Sequence, residues 1–383
     1  MPLTNKHLTD EQLTDEQRAL RAAVRALLDR QQRRAPAGDQ GHDQGHDRSL
    51  WRRLCGEIGI AGLAVPECYG GAGAGPVETH IVAEELGRDL TPTPMLGSAV
   101  LTAQALLAAG DTAASRRLLP GIADGTAIGA LAWTGPDGRW DPGEAACDAT
   151  RTADAAADAT GSWVLNGEAH HVLDGDTADV LLAAARTPDG ARLFEVDLRQ
   201  TGITRSAVTT MDGTRRLAVV GLKGAAGRPA GDRAALARAR DLACIALSAE
   251  QVGAAQRALE LTVAYTKIRV QFGRALASFQ ALQHRMADLY VLVESARSLS
   301  YAAASAAADG APDLGLRAAA AKVYCSEALL RVAGEMIQLH GAIGITWEHE
   351  AHRYLKRAHG AAQLFGQPSE HVARIAAALI DRH

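Results

Sequence analysis

The sequence predicts an α+β chain in which a helical unit, a small all-β unit and a second helical unit follow one another. Three observations carry this. Apolar residues make up 47% of the chain and aromatics only 4%, with alanine abundant, a composition suited to close-packed helices. Apolar positions recur at helical spacing near both ends of the chain. Between them, short apolar or alternating runs are separated by Gly, Asp, Pro and Thr. At 383 residues the chain exceeds one typical core, and boundaries at 1–126, 127–230 and 231–383 are expected.

In the first unit, Leu8-Thr9-Asp10-Glu11-Gln12 is repeated at once as Leu13-Thr14-Asp15-Glu16-Gln17. Thr14 and Gln17 have capping-box spacing, so a helix should follow, with Leu20, Val24 and Leu27 on one face to about Arg30. Gly38 to Asp47 is a polar repeat expected to form a mobile loop, His42 and His46 included. Trp51, Leu54 and Ile58 mark a second helix, which Pro66, Gly70, Gly71 and Gly73 break. These glycines follow no strand at dinucleotide-fingerprint spacing. Helices over Pro76 to Gly87, Ser98 to Ala109 and Thr112 to Ala123 complete the unit.

From Ala127 the pattern becomes that of strands: Ile128 to Trp133, Trp163 to Leu165, Val180 to Ala185, Arg192 to Val196 and Leu217 to Gly221. Asp148 to Thr160 reads as a loop or strand pair without assignable register. From Gly231 the chain is helical to its end. Val252, Ala255, Leu259 and Val263 share one face, and Leu282, Met286, Leu289 and Val293 share another. Asp309-Gly310-Ala311-Pro312 stops the second of these helices, and a third starts near Leu314.

A net charge of −4 argues against a nucleic-acid partner. No window holds 18 uninterrupted apolar residues and the N-terminus lacks a signal-peptide pattern, so a soluble cytoplasmic protein with no membrane partner is expected. The five cysteines are scattered without a CxxC pair and read as reduced packing residues.

The stretch Tyr265 to Gly273, continuing through Gln280 to Asp288, joins two long helices by a short polar loop. It presents Arg269, whose planar fork suits phosphate, and Gly273, which lets backbone approach a ligand closely. An anion or cofactor grip is one reading; a plain turn with a solvated arginine is the other.

Read with the α, β, α layout, this joint resembles that of the acyl-CoA dehydrogenase family of flavoproteins. The likeness extends through Trp51, Leu54, Gly59, Gly62-Leu63, Val65-Pro66-Glu67, Tyr69-Gly70-Gly71 and Gly73, then Glu84-Glu85-Leu86-Gly87, and Gln338-Leu339-His340-Gly341-Ala342-Ile343-Gly344. It covers nearly the whole chain. The resemblance implies an N-terminal helical domain, a middle β-domain and a C-terminal four-helix bundle, with FAD held between the last two. It also implies a tetramer in which a neighbouring subunit helps grip the dinucleotide.

Carried onto this sequence, Arg269 would contact the pyrophosphate of a neighbour's FAD, Phe272 would lie against its adenosine end and Gln280 would position the same half. Gln338, Gly341 and Gly344 would approach pyrophosphate or adenine from the other subunit edge, with Ala342 where the family usually has a second glycine. In the β-domain, Thr134 would donate its hydroxyl to the isoalloxazine, while Gly135 replaces an acidic residue. His171 and Leu173 stand where the family places a tryptophan and a threonine against the flavin.

The family desaturates a thioester: a carboxylate takes the α-proton while the β-hydrogen leaves as hydride to the flavin. The two usual base positions fall on Phe365 and Ala243, neither of which accepts a proton. Asp241 is two residues from Ala243, roughly 200° around the helix, and should face elsewhere. Glu250 lies on a similar face roughly 10 Å along the axis, and is the candidate catalytic residue. A structural polar contact inside the bundle is the reading set ahead of it, because bundle acids are commonly structural. Cys244 reads as a buried thiol, and Glu348 to His352 lacks the HExxH metal motif.

The resemblance thus implies an FAD-dependent acyl-thioester dehydrogenase, its substrate carried by coenzyme A or a carrier protein, with an electron-transfer flavoprotein or similar acceptor and a homo- or hetero-oligomer, dimer or tetramer. The alanine-rich composition and the Leu364 to Pro368 segment resemble the actinobacterial branch, where some members are base-less subunits that complete a partner's FAD site. A flavin-dependent oxidase or monooxygenase on the same fold is the third reading.

Overall fold

Thr14 and Gln17 cap the first helix reciprocally: the Gln17 backbone N–H donates to Thr14 Oγ1 at 3.1 Å and the Thr14 N–H to Gln17 Oε1 at 3.2 Å. That helix, α1, spans Asp15–Arg34. The computed structural model describes residues 13–34, 46–152 and 163–380. The first copy of the duplicated pentapeptide and His42 lie outside them. The helices that follow are α2 (Arg48–Arg53), α3 (Pro76–Arg88), α4 (Ala103–Ala109) and α5 (Thr112–Ala123). Leu54–Ile58 continues α2 as a π-helical turn, closed by Gly59 at φ 78°. Met95–Thr102 is π-helical as well and leads directly into α4.

Seven strands come next: β1 (Gly129–Ala132), β2 (Cys147–Arg151), β3 (Trp163–Leu173), β4 (Val180–Thr187), β5 (Gly190–Val196), β6 (Ile203–Val208) and β7 (Leu217–Gly231). They run in the order β1-β4-β2-β3-β7-β5, and β5 also pairs with β4. The strands β4, β2, β3, β7 and β5 therefore close on themselves, with β1 and β6 as short edge strands paired to β4 and β7. Leu165, Ala169, Leu181, Phe194 and Val220 fill the interior. β2 overlaps the loop or strand pair expected from Asp148, and β6 was not expected. β2 offers only Cys147 and Ala149 as buried positions, and β6 is almost wholly exposed, so neither carries a strong apolar alternation. β3 runs well past Leu165 by absorbing bulges at Leu165/Asn166 and Ala169/Val172.

The remaining helices are α6 (Arg233–Ile268), α7 (Gln280–Ala308), α8 (Leu314–His340), α9 (Ala351–Gln363) and α10 (Pro368–Ile380). The joint expected as a polar loop is a hairpin of β8 (Val270–Gln271) and β9 (Arg274–Ala275). Its central residues, Phe272 and Gly273, have φ of 52° and 76°, the positive pair that matches a tight turn to strand twist.

By compactness the chain forms two units. Unit 1 comprises residues 1–25, 80–91 and 244–383; unit 2 comprises 26–79 and 92–243. In unit 1, α6, α7, α8 and α9 share one core through Ala255, Leu259, Leu289, Val293, Leu329, Met336 and Tyr354. The end of α3 crosses α6 with backbones touching: a Cβ on Gly87 would overlap the Glu250 carbonyl, and one on Gly253 would overlap that of Glu84. In unit 2 the closed sheet is backed by the Met95–Thr102 turns, where Ser98 Oγ accepts from Gly129 N at 2.8 Å. His46, expected in a mobile loop, is instead buried, its Nδ1 3.7 Å from Asp174 Oδ1. Among the described residues no helix is long and apolar enough to cross a membrane.

Candidate functional site

The expected site residues fall into two groups, one in each unit. In unit 2, β1 is followed by Trp133, whose indole donates to the carbonyls of Asp141 and Glu144, each at 3.2 Å. This fixes the turn that follows. Thr134 bridges to His170: the His170 N–H donates to Thr134 O at 2.8 Å, and Thr134 Oγ1 donates to His170 O at 2.7 Å. The hydroxyl proton expected to serve a flavin faces a backbone carbonyl, so Thr134 offers lone pairs to a ligand.

His171 sits at the second bulge of β3 with φ 55°, an uncommon conformation for a side chain of its size. Its Nδ1 is buried without a hydrogen-bond partner among the described residues, and Gly138 (φ 69°) faces the ring: a Cβ there would stand 3.7 Å from Cε1. Burial holds the His171 pKa below its ordinary value, the neighbouring His170 adds to this, and Asp137 opposes it. Leu173, expected against the flavin, is 2% exposed and packs on Gly97, where a Cβ would stand 2.9 Å from its own. It presents no surface for a ring. A separate cavity of about 700 Å³ in this unit is lined by Arg117, Trp163, Glu195 and Arg228, and none of the expected site residues lines it.

In unit 1 the hairpin is solvent-facing. Phe272 is 90% exposed, and Arg269 and Gln280 are exposed too. The Arg269 N–H donates to Tyr265 O at 2.9 Å and its carbonyl accepts from Leu276 N at 2.9 Å, so backbone bonds hold the arm while the guanidinium has no ion pair among the described residues. At the end of α8, Gln338 is exposed and Gly341 takes φ 65°, ψ −144°, a region essentially reserved for glycine. Nothing lies within 4 Å of a Cβ built there. Gly344 differs: it is buried, and a Cβ would stand 3.1 Å from Ile337 O, so packing on α8 explains this glycine.

A ring stack missed at the sequence level lies beside that turn. The His340 ring stands 4.4 Å from Tyr265, at 23°, and 4.4 Å from His349. The only signal for it was that Tyr265 and His340 sit inside the two quoted motifs. His340 Nε2 is buried and unpartnered among the described residues. An open glycine, an exposed arginine and an orphaned buried nitrogen fit the dinucleotide half of a flavin. In unit 2, His171 Nδ1 is the comparable orphan, while Thr134 and Leu173 fit a flavin ring less well.

The base positions are plain. Ala243 is fully buried, and Phe365 is fully buried at φ 60°. His371 Nε2 donates to Phe365 O at 2.9 Å, and Cys244 Sγ lies 3.9 Å from the same oxygen. Glu250, 8% exposed, has Oε2 3.4 Å from Nη1 of Arg357, itself 4% exposed.

Comparison with known proteins decides the family. The description "Acyl-CoA dehydrogenase, N-terminal domain" matches residues 14–126, and "Acyl-CoA dehydrogenase, C-terminal domain" matches 207–380. The chain belongs to the acyl-CoA dehydrogenase family. Acyl-CoA dehydrogenase IpdE2 of Mycolicibacterium smegmatis is 40% identical over 370 residues, covering 95% of this chain and 99% of the relative. A solved "Tcur3481-Tcur3483 steroid ACAD" variant matches with TM-score 0.85 at 32% identity, covering 96% of this chain and 98% of that one. The ChsE4-ChsE5 complex from Mycobacterium tuberculosis matches with TM-score 0.85 at 29% identity and the same coverage. Membership makes the chain an acyl-CoA dehydrogenase-type flavin oxidoreductase with the α+β architecture expected of it.

Proposed function

We propose that this chain works in an FAD-dependent acyl-thioester dehydrogenase as the subunit that grips the dinucleotide and leaves the α-proton base to a partner subunit. The observation that carries the reading is Phe365. A buried phenyl ring stands where the resemblance expects a carboxylate, and its carbonyl is tied to His371 at 2.9 Å. The alternative position, Ala243, is fully buried and has no proton acceptor. Glu250 is the remaining candidate, and its carboxylate faces Arg357 at 3.4 Å, a contact that holds it in place.

The flavin, when bound, would supply the hydride acceptor for β-hydrogen transfer. Unit 1 contributes the exposed guanidinium of Arg269 to the pyrophosphate, Phe272 and Gln280 to the adenosine half, and the open backbone of Gln338 and Gly341 to close approach. His171 in unit 2 carries the nitrogen suited to a ring contact. Two solved neighbours carry paired names, Tcur3481-Tcur3483 and ChsE4-ChsE5, which supports a heteromeric assembly over a homomeric one. The word "steroid" in the name of the first puts polycyclic acyl thioesters first among substrates to try. Reducing equivalents would pass to an electron-transfer flavoprotein or similar acceptor.

The test is anaerobic flavin bleaching by a panel of acyl-CoA thioesters, run on the chain alone and with a co-encoded homologue that has the glutamate. We expect bleaching only in the mixed assembly, with one flavin per two chains, unaffected by Glu250→Gln. Bleaching by the chain alone, lost in Glu250→Gln, would instead make Glu250 the base of a homomeric enzyme.

A further inference from the structure

We propose that His340 and His349 form a donor–acceptor pair that recognises the adenosine end of the dinucleotide; this rests on reading unit 1 as the FAD clamp. The tautomer of each ring is set by the backbone. His340 Nδ1 lies 2.7 Å from Met336 O. A carbonyl only accepts, so the ring proton is on Nδ1 and Nε2 presents a lone pair. Burial keeps the ring neutral by lowering its pKa; the Met336 bond opposes this and His349 reinforces it.

His349 has the opposite arrangement. Its Nδ1 accepts the Ala351 N–H at 3.1 Å, so its proton is on Nε2, which donates. The two rings are 4.4 Å apart. The two adjacent rings thus carry an acceptor and a donor. Two lone pairs, as a metal would need, are not available there, and no group of three or more metal-ligating side chains occurs among the described residues.

The pair is built into the clamp. Tyr265 stacks on His340 as well, 6.4 Å from His349, and its hydroxyl donates to His340 O at 3.3 Å. The Tyr265 carbonyl accepts the Arg269 N–H, so the hairpin arm starts from this stack. Gly341, the next residue after His340, leaves open space. His340 Nε2 is a buried acceptor with no partner among the described residues, a state that costs free energy until a donor arrives. His349 is only half-buried, so it is the ring that can move to admit one.

The matching chemistry is a neutral group with a donor beside an acceptor. Adenine presents this as its exocyclic amine beside a ring nitrogen, and ribose as its vicinal hydroxyls. The shared ligand is the adenosine diphosphate end of FAD, whose adenylate FMN lacks.

The experiment strips flavin from the assembled protein and titrates FAD, FMN, ADP and IDP into wild type, His340→Phe, His349→Phe and Arg269→Ala. Phenylalanine keeps the ring stack and removes the nitrogens, and circular dichroism confirms folding. Each histidine variant should bind FAD and ADP about tenfold more weakly, the worth of one hydrogen bond, with FMN unchanged. The ¹⁵N signals of both rings should shift when ADP binds to wild type. IDP weaker than ADP assigns the contact to the base, and equal binding assigns it to the ribose. FAD affinity within twofold of wild type in both histidine variants would overturn the proposal, and the clamp reading would stand if Arg269→Ala still lost FAD. If Arg269→Ala lost nothing either, both would fall.

Discussion

Glu250 and Arg357 are where the missing base is decided, because their contact is physical whatever the reaction. Both are nearly buried, with 3.4 Å between Oε2 and Nη1. Removing one member of such a pair leaves a charge in a poorly solvated place, whereas replacing both by apolar groups is often near neutral. Arg357→Met should therefore destabilise unit 1 by about 3–5 kcal/mol, and Glu250→Leu with Arg357→Met should recover most of it. Chemical denaturation of both variants checks this, and a double variant no better than the single would show that the pair is not the relevant unit. Residue by residue, the sequence could mark Arg269, Phe272, Gln280 and Gln338, and all four are exposed, as the proposed dinucleotide contact requires. It could not show that Leu173 packs on Gly97 or Gly344 on Ile337, because those neighbours are set by the fold. Phe272 combines a positive φ with 90% exposure, a strained and unburied aromatic that folding alone does not explain.

At the level of elements, the crossing of α3 over α6 gives the Glu84-Glu85-Leu86-Gly87 motif a physical reason that sequence did not supply. Gly87 meets the backbone of Glu250, and Gly253 meets the backbone of Glu84, so the helices touch without side chains between them. Around the contact, Arg297 pairs with Glu84, and Arg25 Nε reaches Glu85 Oε2 at 2.8 Å. The crossing therefore fixes the height of Glu250 on its helix. Gly87→Ala and Gly253→Ala should each cost more than the 1–3 kcal/mol typical of overpacking, since the obstacle is backbone, which cannot change rotamer. The measurement is the denaturation midpoint, and an unchanged midpoint in either would refute the close crossing. Helices were legible because their apolar faces repeat, from the Thr14 cap to the stop at Asp309-Gly310. β6 was not, because an exposed strand writes no apolar pattern, and the hairpin at Phe272 was not, because two-residue strands are too short to show a period.

For the whole molecule, the buried titratable groups fix how stability varies with pH, and the alkaline side is where their signs agree best. Below neutrality they conflict: burial lowers the His80 pKa to about 3, but it raises those of Glu85 and Asp174. Above pH 9 the balance is clearer. Burial raises the thiol pKa to about 12 in Cys55, about 11 in Cys147 and about 12 in Cys325, from 9.0. Over that window the unfolded chain has lost protons that the folded chain keeps, so stability falls as pH rises, by up to about 1.4 kcal/mol per pH unit for each thiol. Lys322 acts oppositely, since burial lowers its pKa from 10.5 to about 8, and between those values the unfolded chain holds the extra proton. The two thiols Cys55 and Cys147 lie in unit 2 with no opposing amine, so stability there should decline from about pH 9 upward. In unit 1 Cys325 and Lys322 offset each other up to about pH 10, above which Tyr301 and Tyr354, both raised by burial, add to the fall. With two units a single transition is not guaranteed, so hydrogen exchange of β3 and of α8 should be followed separately. Cys147→Ala should flatten the decline for β3, and Cys325→Ala should leave Lys322 unopposed, so that α8 gains protection from pH 9 to 10. Protection of β3 that stays level or rises from pH 9 to 10.5 would contradict the assignment.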